Sequence, residues 1–268
     1  MIKYVLGTSD IELERLRIQS ALFEKQTIHT LNLAGIQRGM RCLDVGCGQG
    51  YTSLLISQIV GGKGKVIGMD ISEDNIKTCN TKISHNNKKL KFIVGDIYNS
   101  TLDESSFDFV YSRFLFQHLP DPEKALKRLL RLTVGDGILV LEELDQGLWL
   151  SYPTDPNLRK LQKAYVNLLK LSGSDPYIAR KLYGIFYKTG LRPNVSCYSV
   201  CIPMNDKSFN MMGVLTAKVL KSSILKNNLM TSMEFSRMLN GLKKYALDPT
   251  GLVLYALTFR IWARKDGS

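Results

Sequence analysis

Residues 43–50 read Leu-Asp-Val-Gly-Cys-Gly-Gln-Gly, and this stretch determines how the rest of the chain is interpreted. An apolar run ends in an acid, glycines follow at positions 46, 48 and 50, and helix-compatible residues continue from Tyr51 to Val60. The pattern predicts a buried strand, a tight glycine turn and a helix that begins over the turn. Because a helix N-terminus offers unpaired N–H groups and a partial positive charge, the turn suits either a carboxylate or a phosphate.

Strand and helix patterns alternate five times around this turn. After the strand that leads into it, further strands are predicted over residues 65–70, 90–94, 107–111 and 138–144, with helices over 51–60 and 73–87 and a third ending at Leu132. An amphipathic helix over residues 10–31 precedes the first strand, where it is expected to pack on a sheet edge or cover a pocket. This alternation is typical of a parallel sheet with helices on both faces.

The pattern changes after Asp145. Helices are predicted over residues 155–171, 177–189, 209–227 and 232–247, and strands over 195–202 and 252–262. We expect the helices between the last two strands to form an insertion that covers the ligand edge of the sheet.

Charge is distributed unevenly along the 268 residues. The part up to Asp145 holds 18 basic and 18 acidic residues, whereas the remainder holds 18 and 6, so the whole net charge of +12 lies there. Such an excess is compatible with an acidic partner, nucleic acid or a membrane surface, and equally with a lysine-rich surface that keeps the protein soluble.

The beginning of the chain does not read as a signal peptide, and no stretch approaches the ~18 apolar residues of a membrane span. The five cysteines do not match zinc-site spacing, so we predict no metal site, free thiols and a cytoplasmic protein.

Polar side chains follow each of the first four predicted strands, namely Asp44, Asp70, Asp96 and the Ser112–Arg113 pair. Ligands of open α/β sheets bind at these strand ends. The spacing Gly-x-Gly-x-Gly departs from the Gly-x-Gly-x-x-Gly of dinucleotide enzymes, and a carboxylate at Asp44 repels a pyrophosphate but suits an ammonium group. Asp70 lies where a carboxylate accepts from ribose hydroxyls. The predicted ligand therefore has an adenosine at one end and an amino acid at the other.

These motifs resemble the class I S-adenosylmethionine-dependent methyltransferases, most closely the ubiquinone/menaquinone-type and small-molecule branch. The resemblance covers about residues 35–145 and rests on LDVGCGQG, GMDIS (68–72), VGDI (94–97) and FDFVYSRFLFQHLPDP (107–122). It implies an α/β, Rossmann-like, doubly wound, seven-stranded and mostly parallel sheet with a helical lid. In one continuous domain, residues 1–34 form the N-terminal arm or lid, 35–145 the cofactor core, and 146–268 the rest of the sheet with acceptor-binding insertions.

The resemblance also implies residue roles at the methionine end of S-adenosylmethionine. Gly46, Cys47 and Gly48 pass under the methionine part through backbone atoms. Ser112 and Arg113 lie where the family contacts the methionyl end, and an arginine there is suited to pair with a carboxylate.

Further roles concern the amino-acid and adenosine parts. Asp44 orients the amino-acid end, directly or through water, and Asp70 accepts from the ribose hydroxyls. Ile71 lies beside the adenine, Asp96 accepts from its amino group, and Ile97 covers the other ring face.

A looser similarity places the stretch Tyr4-Val5-Leu6-Gly7, together with Glu14 and Arg15, in an arm that closes over the cofactor.

Candidate catalytic residues lie on the acceptor side. His118 follows the fourth strand, and Glu142, Glu143 and Asp145 end the fifth. We select His118 and Glu143 as groups that steer or deprotonate an acceptor. The alternatives are that His118 is a packing and turn residue and that the acids form a solvated strand end or contact the lid.

Acceptor identity is expected to depend on residues beyond Asp145. Aromatic residues that are candidates for an apolar pocket, or alternatively for the core, are Trp149, Tyr152, Phe186, Tyr187 and Phe209.

The favoured function is methyl transfer from S-adenosylmethionine, with S-adenosylhomocysteine as product, to an O or N atom of a small-molecule or natural-product acceptor, peptides included. A methyltransferase acting on RNA or protein and a non-catalytic cofactor-binding protein are the alternatives. Nucleic acid is compatible with the charge but not favoured, and the sequence indicates no oligomeric state.

Overall fold

The computed structural model describes residue 6 and residues 9–82 and 89–267. The helices are α1 (Asp10–Ala34), α2 (Tyr51–Val60), α3 (Glu73–Lys82), α4 (Pro122–Leu132), α5 (Pro156–Leu171), α6 (Ile178–Lys188), α7 (Met212–Lys226) and α8 (Ser232–Tyr245). The strands are β1 (Arg41–Val45), β2 (Lys65–Asp70), β3 (Leu90–Val94), β4 (Phe107–Arg113), β5 (Thr133–Asp145), β6 (Leu150–Tyr152), β7 (Asn194–Tyr198), β8 (Cys201–Pro203), β9 (Leu252–Leu254) and β10 (Leu257–Arg264).

The central sheet has seven strands in the order β3-β2-β1-β4-β5-β10-β7. Strands β1 to β5 are parallel, and β10 runs antiparallel to both of its neighbours, β5 and β7. The chain crosses from one side of β1 to the other between β3 and β4, so the strand order reverses between β1 and β4. This reversal is where open α/β sheets bind ligands.

Apolar side chains on both faces of the sheet explain why helices cover both. One cluster includes Val110 and Leu139 of the sheet with Leu126 of α4 and Leu182 of α6. The opposite face packs against α1, α2 and α3. Parallel strands buried on both sides are typical of doubly wound folds. The predicted fold class is therefore confirmed.

The C-terminal helices form a second layer of packing beside the sheet. Helices α5, α7 and α8 share one apolar cluster with α1, to which Phe23, Leu161, Leu220 and Phe235 contribute fully buried or nearly fully buried side chains. This places α1 between the sheet and the C-terminal helices.

A small three-stranded sheet, in the order β6-β9-β8, corrects the prediction of two long C-terminal strands. The strands predicted over residues 195–202 and 252–262 each divide into two. At the division the Tyr255 N–H donates to the Val200 carbonyl at 2.9 Å and the Ser199 hydroxyl donates to the Tyr255 carbonyl at 2.6 Å. The chain leaves one sheet and enters the other at this point. The helix predicted over residues 73–87 is described only as far as Lys82, because residues 83–88 lie outside the described part of the chain.

None of the helices that the structure describes is long and apolar enough to cross a membrane.

Candidate active site

A cavity of about 220 Å³ opens at the carboxyl ends of β1, β2 and β4, beside the reversal in strand order. Helix α1 covers it, because Glu12, Arg15 and Gln19 of this helix line one wall. The glycine turn also lines the cavity. The N-terminal helix thus covers a pocket, which is one of the two positions predicted for it.

The glycine turn is held between β1 and β2 by backbone hydrogen bonds. The N–H groups of Gly46 and Cys47 donate to the Met69 carbonyl at 2.8 and 3.1 Å, and the Gly48 N–H donates to Asp70 Oδ2 at 2.8 Å. All three glycines of the turn have positive φ. Glycine tolerates this conformation without a steric penalty.

Two of these glycines have different surroundings. A Cβ added at Gly48 (φ 53°) meets no atom of the described residues within 4 Å, and Gly48 lines the cavity. A Cβ added at Gly50 (φ 74°) lies only 2.7 Å from Phe92 Cζ and 3.0 Å from Cys79 Sγ. Gly50 is therefore required by packing, whereas the space beside Gly48 is open to the cavity.

Asp44 lies at the end of β1 and is buried below the turn. Its Oδ2 accepts a hydrogen bond from the Ser53 hydroxyl at 2.6 Å. Burial raises the pKa of Asp44 to about 6, and the Ser53 hydrogen bond and the Arg113 cation oppose this rise. A cation placed beside Asp44 favours its ionised form.

The acids that end β2 and β3 lie along the same cavity. Asp70 Oδ1 accepts from the Ser72 N–H at 2.9 Å, and Asp96 Oδ1 accepts from the Tyr98 N–H at 2.9 Å. Ile71 and Ile97 also line the cavity. The positions predicted for the ribose and the adenine therefore meet at one wall.

The two residues that end β4, Ser112 and Arg113, lie in different environments. Arg113 lines the cavity and donates from Nη1 to Thr27 Oγ1 at 2.7 Å. Ser112 does not line it, since its buried hydroxyl donates to the Val45 carbonyl at 2.9 Å. Neighbouring strand residues point to opposite faces, so only one of the two reaches the cavity.

The three acids that end β5 also do not line the cavity. Glu143 is fully buried and accepts from the Phe116 N–H at 2.5 Å, which fixes the loop after β4. Burial raises the pKa of Glu143 to about 8, opposed by hydrogen bonds from backbone N–H groups. At neutral pH this side chain is mainly protonated. Glu143 was predicted to lie beside the methyl acceptor, but it does not line the cavity.

The other two acids at the end of β5, Glu142 and Asp145, are bonded to side chains of the fold. Glu142 accepts from Thr30, Tyr111 and Tyr198, and Asp145 forms an ion pair with Arg180.

His118 does line the cavity, within the short helical turn after β4. Burial, with a smaller contribution from the Arg15 cation, lowers the pKa of His118 to about 3. The imidazole is therefore neutral at physiological pH. An imidazole with so low a pKa is a weak base.

Three polar residues without a predicted role, Glu12, Tyr165 and Tyr255, line the end of the cavity near His118. They lie there with Arg15, which was predicted only as part of the arm that closes over the cofactor. Arg15 donates from Nε and Nη2 to the Glu12 carboxylate at 2.6 and 2.7 Å, and both side chains are almost fully buried. Tyr165 of α5 and Tyr255 line the same region. The one available signal was an acid and a base three residues apart on α1.

The aromatic residues proposed for the acceptor pocket are dispersed. Trp149 and Phe209 line a smaller second cavity. Phe186 is buried in the cluster around α4 and α6, whereas Tyr152 and Tyr187 are 74% and 51% exposed. Tyr4 lies outside the described residues.

The methyltransferase domain family matches residues 36–190, more than half of the chain, and the chain belongs to this family. It is similar to the demethylmenaquinone methyltransferase of Staphylococcus epidermidis, with 31% identity over 147 residues that cover 55% of the chain and 57% of that protein. The corresponding enzyme of Staphylococcus aureus is 31% identical over 131 residues, covering 49% and 52%. The chain thus matches little more than half the length of these relatives.

Solved structures show the same fold. A SAM-dependent methyltransferase from Aquifex aeolicus has a TM-score of 0.55 at 22% identity, covering 72% of the chain and 94% of that protein. Phosphoethanolamine N-methyltransferase 2 of Haemonchus contortus, solved with S-adenosyl-L-methionine, has a TM-score of 0.58 at 17% identity, covering 93% and 56%.

Proposed function

We propose that this chain transfers a methyl group from S-adenosylmethionine to an oxygen or nitrogen atom of a small-molecule or natural-product acceptor, peptides included. The observation that carries the proposal is the convergence of Asp44, Asp70, Asp96 and Arg113 around one cavity that α1 covers. Membership in the methyltransferase domain family supports it. The proposed location is the cytoplasm, in keeping with five free thiols.

The residues present fit this cofactor. Asp44 is suited to the ammonium group, Arg113 to the carboxylate, and the open space at Gly48 to a closely approaching ligand. Asp70 is assigned to the ribose hydroxyls, and Asp96, with Ile71 and Ile97, to the adenine. The sulfonium supplies an activated methyl group, so the protein has to align a nucleophile and exclude water.

This arrangement assigns a different role to each of three parts of the chain. In the proposal, α1 closes the cavity, residues 35–145 hold the cofactor, and residues 146–268 shape the acceptor end; the part of the predicted N-terminal arm before Ser9 lies outside the described residues apart from Leu6. Since His118 is held neutral and Glu143 is turned away, we propose that the acceptor needs orientation rather than a strong base.

The cofactor assignment is tested by Asp70→Asn, measured by calorimetry with S-adenosylmethionine. We expect affinity to fall at least about tenfold, because charge-assisted hydrogen bonds to the ribose are lost. Asp74→Ala is the matched control, since Asp74 is an exposed acid of α3 that does not line the cavity. Equal affinity in Asp70→Asn and wild type contradicts the ribose assignment.

The role of His118 is tested separately by His118→Ala. If the imidazole orients the acceptor, turnover falls while cofactor affinity stays at the wild-type value. Full turnover in this variant identifies His118 as a packing residue.

A further inference from the structure

A second, smaller cavity of about 30 Å³ lies between α7, α8 and the three-stranded sheet. We call it the annex. Its walls include the apolar side chains of Leu158, Ile202, Met204 and Val253. The volume corresponds to roughly two water-sized spheres, enough for a short hydrocarbon group.

Polar atoms in the annex walls are already bonded within the fold. Asn210 Nδ2 donates to the Met204 and Ala246 carbonyls at 3.2 and 2.9 Å. The Thr216 hydroxyl donates to the Met212 carbonyl at 2.9 Å, and the Tyr245 hydroxyl to the Leu252 carbonyl at 2.9 Å. The annex therefore favours hydrocarbon, because an apolar cavity gives water too few hydrogen-bond partners.

The annex shares a wall with the main cavity, since Thr216 and Tyr255 line both. The Tyr255 ring stacks on Trp149 with centroids 5.9 Å apart and meets the edge of Phe23 at 5.6 Å. The Glu12–Arg15 ion pair also lines the main cavity, close enough to Tyr255 for both charges to act on its hydroxyl. Polar and apolar surroundings thus adjoin across one aromatic ring.

We propose that the annex is an acceptor subsite that binds a short alkyl substituent, so that the acceptor is amphipathic. Its polar, methyl-accepting end lies near His118, and its alkyl group passes between Thr216 and Tyr255 into the annex. This inference rests on the proposed function of the main cavity, because it assigns the acceptor to that cavity.

Gly213 of α7 provides a means of filling the annex. It lines the annex, and a Cβ added there meets only Leu158 Cδ1, at 3.7 Å, among the described residues. Gly213→Leu is expected to occupy the space with side-chain atoms, and Gly213→Ala to occupy part of it. Gly184→Leu on α6 is the control, because Gly184 is exposed and its added Cβ has no described atom within 4 Å.

The experiment measures binding of 4-alkylphenols, from phenol to 4-butylphenol, by calorimetry. In the wild type and in Gly184→Leu, each methylene that enters the annex should strengthen binding by about fourfold, the equivalent of burying one CH₂. In Gly213→Leu this dependence on chain length should disappear while phenol binds as before. In Gly213→Ala the gain in affinity should stop at a shorter alkyl chain than in the wild type.

The same chain-length dependence in wild type and Gly213→Leu, or no binding by any member of the series, overturns the proposal. S-adenosylmethionine affinity, measured in parallel, separates the two hypotheses. If wild type binds S-adenosylmethionine but shows no dependence on alkyl chain length, the annex alone is refuted, whereas absence of cofactor binding in wild type refutes the proposed function.

Discussion

Gly48→Ala is the substitution that most sharply separates ligand binding from folding. The Gly48 N–H donates to Asp70 at 2.8 Å, and its backbone φ is 53°. An added methyl group meets no described protein atom within 4 Å, so it occupies space at the cavity rather than space in the core.

The cost in folding comes from the left-handed backbone alone. Alanine in that conformation costs about 1–2 kcal/mol. In a chain of 268 residues this corresponds to a fall in melting temperature of a few degrees. Binding carries a separate cost, because the methyl group takes the place of a ligand in close contact with the turn. We expect the affinity for S-adenosylmethionine to fall at least about tenfold, or about 1.4 kcal/mol.

Gly50→Ala is the matched control. Its φ is also positive, at 74°, but its Cβ lies 2.7 Å from the Phe92 ring and Gly50 does not line the cavity. This variant should lose more melting temperature than Gly48→Ala and less affinity per folded molecule. Thermal melts and calorimetry on both variants decide the matter. If Gly48→Ala binds S-adenosylmethionine as wild type does, the glycine turn is not the cofactor cradle.

Two further predictions concern pH. Because the pKa of Asp44 is about 6 in the free protein and an ammonium ligand binds its ionised form, affinity for S-adenosylmethionine should rise about tenfold from pH 5 to pH 7. The Asp44→Asn variant should bind weakly and show no such rise. A wild-type affinity that does not change with pH argues against the contact between Asp44 and the ammonium group. Burial raises the pKa of Glu143 from 4.5 to about 8, so the native state retains a proton that the unfolded state has lost, and stability falls as pH rises from about 4.5 to 8. Between pH 6 and pH 9 this group should account for about 2–3 kcal/mol of lost unfolding free energy, which chemical denaturation should show to be absent from Glu143→Gln; an equal loss in that variant assigns the effect to other groups.

The strand ends and the glycine turn were predictable because their signals are local. Glycine spacing, an acid after each apolar run and the alternation of strand and helix all lie within short stretches. Parallel strands bring their carboxyl ends to one edge, which places Asp44, Asp70 and Asp96 together without knowledge of any long-range contact.

Side-chain direction at the ends of β4 and β5 was not predictable to the same extent. Alternation along a strand means that a shift of one residue reverses the face. Arg113 therefore reaches the cavity whereas Ser112 does not. The Glu143 carboxyl accepts a hydrogen bond from the Phe116 N–H of the loop after β4 and does not line the cavity at which the methyl acceptor is expected.

The acceptor end depends on contacts between distant parts of the chain. Arg15 of α1, Tyr165 of α5 and Tyr255 after β9 meet only because the C-terminal helices pack on α1. No local pattern specifies that packing. The division of each C-terminal strand between two sheets has the same origin, because the separating hydrogen bonds join Ser199 and Val200 to Tyr255.

Methyl transfer to a small molecule is tested by incubating the purified protein with methyl-labelled S-adenosylmethionine and a total cell extract, and then separating small molecules from RNA and protein before counting the label. We expect label in the small-molecule fraction, with an equal amount of S-adenosylhomocysteine formed. Label confined to RNA or protein contradicts the proposed acceptor class, and the absence of S-adenosylhomocysteine above a protein-free control contradicts methyl transfer itself.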